Sequence, residues 1–287
     1  MSRDRLIAGP QGAMTVSPSA GGHLPPRGAR GSGRSRTGGS GAPLRRLAAL
    51  AVAGGVIVAV WSILAHLSPP SLFPSLPMVL RALRGTFLTG EVLSATLSTV
   101  RTVAIGSFFA LFTGLLFGFL LRWRESTFLA IVHFFQTIPP VIWSLFAVIW
   151  FGVTLVAALF VIQVVCFPII AMNTWEGLKN LDPEYLQVAR TVNAKRGMVL
   201  RHVVVPSLTP YLLGGVRIMV GFAWKISVLA ELITGLEGVG LSLYRAWQNV
   251  ETPDLLAWTL WLVCLMWATE YGLIRPLDRA LMRWRRA

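Results

Sequence analysis

Long apolar runs separated by short polar or basic stretches fill the chain from about residue 44 onward. A helix crosses a bilayer core, about 30 Å thick, with roughly 20 mostly apolar residues. Runs of about that length predict six transmembrane helices. They are 44–67, 92–121, 127–150, 154–173, 208–234 and 255–275. The pattern therefore predicts an all-α membrane protein.

Prolines interrupt two of these spans. Pro139 and Pro140 lie in the third span and Pro168 in the fourth. Proline removes a backbone donor and clashes with the preceding turn, and neighbouring helices in a membrane satisfy the groups that it frees. We expect kinks at both places.

The segments outside the spans define the predicted organisation of the chain. Residues 1–43 are rich in Gly, Ser, Pro and Arg and are predicted to form a disordered basic tail. Residues 68–91 form an extracytoplasmic loop, and residues 276–287 a second basic tail. Between these, residues 92–275 form the transmembrane core, which includes a long polar loop at 174–206.

Lys and Arg set the predicted orientation. They are concentrated before the first span, after the second, in the 174–206 loop and after the last span, and six spans place all four segments on one side. The opposite side holds only Arg81, Arg84 and Arg245. Because cytoplasmic segments carry the excess of Lys and Arg, both termini and the loop are predicted to be cytoplasmic.

Composition agrees with a membrane protein in contact with lipid. Apolar residues make up 54% of the chain and charged residues 13%. The net charge of +14 lies in loops and tails, so it indicates orientation rather than nucleic-acid binding. Cys166 and Cys264 both fall in apolar spans, and no disulfide or metal framework is predicted.

The 174–206 loop contains a predicted amphipathic helix. Asp182 and Pro183 are typical of a helix start, and Asn193 is suited to a left-handed cap at the end. A second short helix is predicted over 198–205, ending at Pro206. The residues of the first helix with an apolar side chain share one stripe. They are Tyr185, Leu186, Val188, Ala189 and Val192, and the opposite face carries Glu184, Gln187, Arg190 and Asn193. The stripe fits either the lipid surface or a groove on a cytoplasmic partner, and physical chemistry alone leaves both open.

The same loop carries a family resemblance. DPEYLQVARTVNAKRGMVLRHVVVPSLTPYL resembles the cytoplasmic signature loop of ABC-importer permeases, and most of all that of the nitrate/sulfonate/taurine/bicarbonate-type family. LSTVRTVAIGSFFALFTGLLFG, QTIPPVIW, GGVRIMVGFAW and VLAELI extend the resemblance from about residue 76 to the end of the chain. Three positions depart from the family pattern: Gln187 replaces Glu, Val188 replaces Ala, and Asn193 replaces Gly.

The resemblance implies a permease subunit of an ATP-driven importer in the bacterial plasma (inner) membrane. A second, identical permease copy would complete the path, two ABC ATPase subunits would bind the helix at 184–193, and an extracytoplasmic binding protein would deliver the solute. The chain has no G-x-x-x-x-G-K-[ST] loop, so ATP and Mg are expected on the ATPase and no cofactor on this chain.

Five ionisable residues lie inside the predicted spans, where charges are costly and are candidates for function. They are Arg101, Arg217, Lys225, Glu231 and Glu270. Arg101, Arg217 and Glu231 match residues usual in the family, which favours a role in assembly. Lys225 is the better candidate for contact with solute, and Arg217 and Lys225 favour an anion such as a sulfonate, nitrate or bicarbonate. Arg217 and Glu270 are predicted at similar depths, which favours an ion pair between them.

Two other functional classes were considered. A secondary transporter or channel would lack the ATPase-docking loop. An intramembrane enzyme would need a nucleophile–base pair or a metal cluster, but the sequence has no G-x-S-x-G segment and only His66 and His133 in spans. Catalytic and metal-binding residues are therefore not predicted.

Overall fold

The computed structural model describes residues 42–282, and every regular element in that range is a helix. Two compact units are distinguished, 1–52 and 53–287, and the features below belong to the second unless α1 is named. Twelve α-helices are present in the described part of the chain. They are α1 Ala42–Leu67, α2 Leu76–Leu88, α3 Glu91–Trp123, α4 Glu125–Thr137, α5 Pro140–Phe151, α6 Leu155–Lys179, α7 Pro183–Thr191, α8 Arg196–Val199, α9 Val205–Thr234, α10 Val239–Gln248, α11 Thr252–Thr269 and α12 Arg275–Leu281. The predictions for residues 1–41 and 283–287 lie outside the described residues.

Four helices in the described range are long and apolar enough to cross a membrane. They are α3, α6, the continuous helix Arg196–Thr234 and the continuous helix Thr252–Leu281. The pair α4 and α5 makes a fifth span if its two halves cross together. The predicted first span coincides with α1, whose searched apolar part, Ala51–Leu67, is shorter than these.

The predicted third span is broken rather than gently kinked. α4 and α5 meet at 90°, at the junction where Ile138 and Pro139 adopt extended backbone conformations. Pro140 then begins α5, where a missing N–H costs nothing because that donor has no partner within the helix. α6, in contrast, continues through Pro168 without interruption.

A stripe of small residues holds α3 against α6. Gly106, Ala110, Gly114 and Gly118 recur every four residues on the buried side of α3. A Cβ added at Gly106, Gly114 or Gly118 would meet Ile162, Ile170 or Thr174 of α6, respectively. The residue numbers differ by the same amount in each pair, so the two helices run parallel. Small residues allow this close approach, which drives helix packing in membranes.

π-helical segments adjoin two prolines and correct one prediction. Residues Leu200–Val204 and Glu270–Ile274 are π-helical, and each is followed two positions later by Pro206 or Pro276. The second helix of the polar loop was predicted to end at Pro206, and this is wrong. The wider π turn accommodates the proline ring and its missing donor, so the helix runs on from Arg196 to Thr234.

Two further helices lie in segments predicted as connections. α2 occupies most of the predicted 68–91 loop, and Val79 on its inner side is fully buried. α10 connects α9 to α11 and buries Val239 and Leu243, which pack with Trp258 of α11. Both are short and amphipathic, so a search for long apolar runs does not detect them.

Candidate functional site: the α7 helix and the charged face of α9

Both ends of α7 are capped as its sequence predicts. The carboxylate of Asp182 accepts a hydrogen bond from the backbone N–H of Glu184 at 2.9 Å. At the other end Asn193 adopts a φ of 49°, its N–H bonds to the carbonyl of Arg190, and the N–H of Ala194 bonds to that of Ala189. This pair of bonds is a Schellman motif, which requires a left-handed residue and in which Asn replaces the more usual Gly.

The predicted apolar stripe of α7 divides into two sets. Leu186 and Ala189 are half-buried and line a cavity together with residues of α8. Tyr185, Val188 and Val192 are 61%, 62% and 68% exposed, respectively. Glu184, Gln187 and Arg190 are also exposed. An exposed row of large apolar side chains on a helix that projects from the bundle is typical of a contact surface.

The exposed row forms one wall of an apolar groove. The second wall comes from the following helical segment, with Met198, Val199 and Val203. The groove has a volume of about 390 Å³ and has almost no polar surface. The groove is shallow and open, and such an apolar surface fits either a protein partner or the lipid surface.

Arg217 is bound to two carboxylates. Its Nε lies 3.2 Å from Oε1 of Glu270, and its Nη2 lies 3.5 Å from Oδ2 of Asp278. Arg275 also approaches Glu270, with 3.4 Å between Nε and Oε1. The predicted pair of Arg217 and Glu270 is therefore confirmed, as part of a four-residue cluster. The cluster joins α9 to the π-helical segment at 270–274 and to α12.

Glu231 is 1% exposed and is held by hydrogen-bond donors rather than by a cation. Its Oε2 accepts from Thr99 and from the backbone N–H of Gly240, both at 2.9 Å, and its Oε1 accepts from Ser227 at 3.1 Å. Thr99 in turn accepts from the N–H of Val239. Glu231 thus fixes the start of α10 against α3 and α9, which is an architectural role.

Lys225 and Arg101 lie on exposed surfaces. The Lys225 ammonium is 5.4 Å from the centre of the Phe222 ring, a cation–π contact on the same helix. Among the described residues, no carboxylate lies within ion-pair distance of Lys225 or Arg101. Of the five predicted intramembrane charges, these two have neither an ion pair nor a side-chain hydrogen bond among the described residues.

Sequence reasoning missed three residues that complete these sites. Asp278 was assigned to the terminal tail, but it lies two turns beyond Glu270 on the same side of the last helix. Thr99 and Ser227 provide the donors for Glu231, and Ser227 lies one turn before it on α9. The spacing of Asp278 from Glu270 and of Ser227 from Glu231 could have indicated these contacts. Thr99 lies on a different helix from Glu231, so no spacing in the sequence indicates their contact.

Comparisons with known proteins agree with this geometry. Residues 103–269 match the family model described as "Binding-protein-dependent transport system inner membrane component". The chain is 26% identical over 235 residues to a putative aliphatic sulfonates transport permease of Bacillus subtilis, covering 80% of this chain and 85% of that protein. It is 30% identical over 154 residues to the taurine transport system permease of Escherichia coli, covering 54% and 56%.

The fold is similar to that of a solved transporter subunit. An inward-facing structure of the MetNI methionine ABC transporter superposes with a TM-score of 0.58 and 20% identity. The alignment covers 68% of this chain and 97% of the matched chain. At this identity the likeness concerns the fold, and it extends over almost the entire length of that subunit.

Proposed function

We propose that this chain forms the translocation path for a small anion in an ATP-driven importer. The basis is its family, because the chain belongs to the binding-protein-dependent transport system inner membrane components. As a member of that family it is a multi-pass inner-membrane permease that works with an ATPase and a binding protein. We further propose that the chain crosses the membrane six times with both termini in the cytoplasm. Two identical copies of the chain would form one path between them.

The observation that carries the proposal is the exposed apolar row on α7. Tyr185, Val188 and Val192 lie on a helix that both caps hold in place and that follows directly on the end of α6. We assign this row to contact with the ATPase. ATP and Mg would bind to that partner, and this chain would bind no cofactor.

One continuous helix supports mechanical coupling. The segment that closes the groove beside α7 belongs to the helix Arg196–Thr234, which also carries Arg217 and Lys225. A displacement of α7 by the ATPase would thus act directly on the helix that carries the exposed ammonium. Such a rigid-body movement is the expected way in which ATP binding alternates access to a path.

The intramembrane charge that has no carboxylate partner supports an anionic solute. Two carboxylates pair with Arg217 and offset its positive charge. Lys225 keeps its ammonium on an exposed face of α9, and a desolvated cation in a membrane path attracts a negative solute. Relatives named for aliphatic sulfonates and taurine favour a sulfonate, and nitrate and bicarbonate remain candidates of the same charge.

A secondary transporter or channel is the alternative. Such a protein has no ATPase subunit, so it would not need a capped helix with an exposed apolar row beside the membrane. For an enzyme, residues 42–282 contain no grouping of His, Cys, Asp and Glu that could hold a metal ion. No observation on the described residues favours either class over the permease.

Substitution of Lys225 tests the solute assignment. We expect Lys225→Ala to lower uptake of the transported anion tenfold or more, since a hydrogen bond to a charged group contributes about 1.5–3 kcal/mol and about 1.4 kcal/mol corresponds to a factor of ten. Lys225→Arg should keep part of the activity, because it keeps the charge. Uptake into proteoliposomes that contain the ATPase and binding protein is the measurement, with basal ATP hydrolysis as the control for assembly. Unchanged uptake by the alanine variant would remove Lys225 from the path.

A further inference from the structure

A cavity of about 690 Å³ lies between the end of α6, the start of α7 and the first turns of α9. Amide, hydroxyl and phenol side chains contribute to its wall, among them Asn173, Asn180, Ser207 and Tyr211. The volume is within the range of small-molecule sites. Asp182, which caps α7, and Tyr185 of its exposed row also line the cavity, so the cavity adjoins the surface that we assign to the ATPase.

The lining of the cavity contains no Lys or Arg among the described residues. Lys195, Arg196 and Arg201 lie in the adjoining loop but do not line it. The lining does contain the carboxylate of Asp182, whose Oδ1 already accepts the N–H of Glu184, and the imidazole of His202, whose Nδ1 lies 3.1 Å from the carbonyl oxygen of Met198. A small anion would therefore be held here through amide, hydroxyl and imidazole groups rather than by a Lys or Arg.

One face of α9 connects the cavity with Lys225. Ser207, Gly214, Ile218 and Lys225 are separated by seven, four and seven residues, which places them within about 40° of one another around the helix. Gly214 and Lys225 are exposed, and Ile218 is 50% exposed. A Cβ added at Gly214 or Gly221 would meet nothing within 4 Å. The face is therefore open along about 27 Å of helix.

We propose that this cavity is a release station that binds the transported anion weakly, through hydrogen-bond donors other than Lys and Arg. The inference rests on the proposed function, since it takes the exposed face of α9 as the wall of the path. Lys225 attracts the anion, Arg217 is occupied by Glu270 and Asp278, and the cavity offers hydrogen bonds beside the carboxylate of Asp182. This order of charges favours movement from a strong site to a weak one.

Protection of an introduced thiol tests the station directly. The variant is Ser207→Cys with Cys264→Ser, because Cys166 is buried whereas Cys264 is exposed. In the assembled, nucleotide-free complex, the rate of modification by a water-soluble methanethiosulfonate is measured with and without an alkanesulfonate, nitrate or bicarbonate. Ser126→Cys is the matched control, since Ser126 is exposed at the same end of the bundle and does not line the cavity.

We expect at least one anion to slow modification of Ser207→Cys about threefold at millimolar concentration, with no effect on Ser126→Cys. Equal rates with and without every anion, or equal slowing at both positions, would overturn the proposal. Uptake of the same anions by the complex that lacks introduced cysteines separates the two proposals. Uptake without protection refutes the station alone, whereas protection without uptake of any of the anions supports the station and refutes the assigned solute class.

Discussion

Three exposed apolar side chains on α7 form the surface that we propose for contact with the ATPase. Tyr185, Val188 and Val192 point outward because the Asp182 cap and the left-handed Asn193 fix both ends of a nine-residue helix. An isolated helix of this length is unstable in water, so the caps and the half-buried Leu186 and Ala189 have to maintain it. Asn193, which replaces the Gly of the family pattern, therefore keeps the left-handed backbone conformation at the end of the helix.

Val188→Asp should reduce recovery of the ATPase with the purified chain by tenfold or more. Burial of a valine contributes about 1.5–3 kcal/mol, and an aspartate in the same contact would be desolvated. Gln187→Asp is the matched control, because Gln187 is the exposed neighbour on the polar side of the helix. The measurement is co-purification from membranes that contain equal amounts of each variant. Recovery of the ATPase with Val188→Asp at the control level would favour α7 as a lipid-surface helix.

The cluster around Arg217 provides a second test at the residue scale. Arg217→Glu places a third carboxylate beside Glu270 and Asp278, and we expect it to lower uptake about tenfold. The double change Arg217→Glu with Glu270→Arg restores one opposite pair and should recover to within about threefold of the original chain. If the double variant is no better than Arg217→Glu, the pair does not hold α9 to the last span.

Packing between α3 and α6 organises the bundle at the scale of helices. Gly114 shows how close the approach is, because an added Cβ would lie 2.5 Å from Cβ of Ile170 and 2.8 Å from the carbonyl oxygen of Phe167. The backbone oxygen cannot move aside without a shift of the whole helix. This contact is therefore sensitive to added volume.

Gly114→Val should destabilise the folded protein by about 1–3 kcal/mol or more, since the core is overpacked. Gly54→Val in α1 is the control, because a Cβ there would meet nothing within 4 Å. Thermal unfolding in detergent, followed by tryptophan fluorescence, measures the difference. Equal midpoints for the two variants would show that α3 and α6 do not approach as closely as described.

Prolines show what the sequence could predict at this scale. Pro139 and Pro140 predicted a kink in the third span, and the structure has a sharper break of 90° at that place. Pro206 predicted a helix end, yet a π-helical turn precedes it and the helix continues. The prediction treated proline as a helix end and did not allow for a π turn, in which the wider ring of backbone bonds accommodates it.

At the scale of the whole molecule, the sequence predicted the long helices of the apolar runs and the helix α7. The runs give the core helices, and the spacing of Arg217 and Glu270 along two spans correctly placed them together. Other contacts between distant helices could not be predicted: Thr99 bonds to Glu231 across 132 residues, and the cavity at Ser207 is formed by three elements. Only the folded bundle brings these groups together.

ATP-driven uptake tests the central claim most directly. The chain, its ATPase and its binding protein are reconstituted in liposomes, and entry of a labelled alkanesulfonate, nitrate and bicarbonate is measured with ATP and with a non-hydrolysable analogue. The account predicts uptake of at least one anion that requires hydrolysable ATP, the ATPase and the binding protein, and that Val188→Asp abolishes. Uptake that proceeds at the same rate without the ATPase or without ATP would contradict it and identify a channel or secondary transporter.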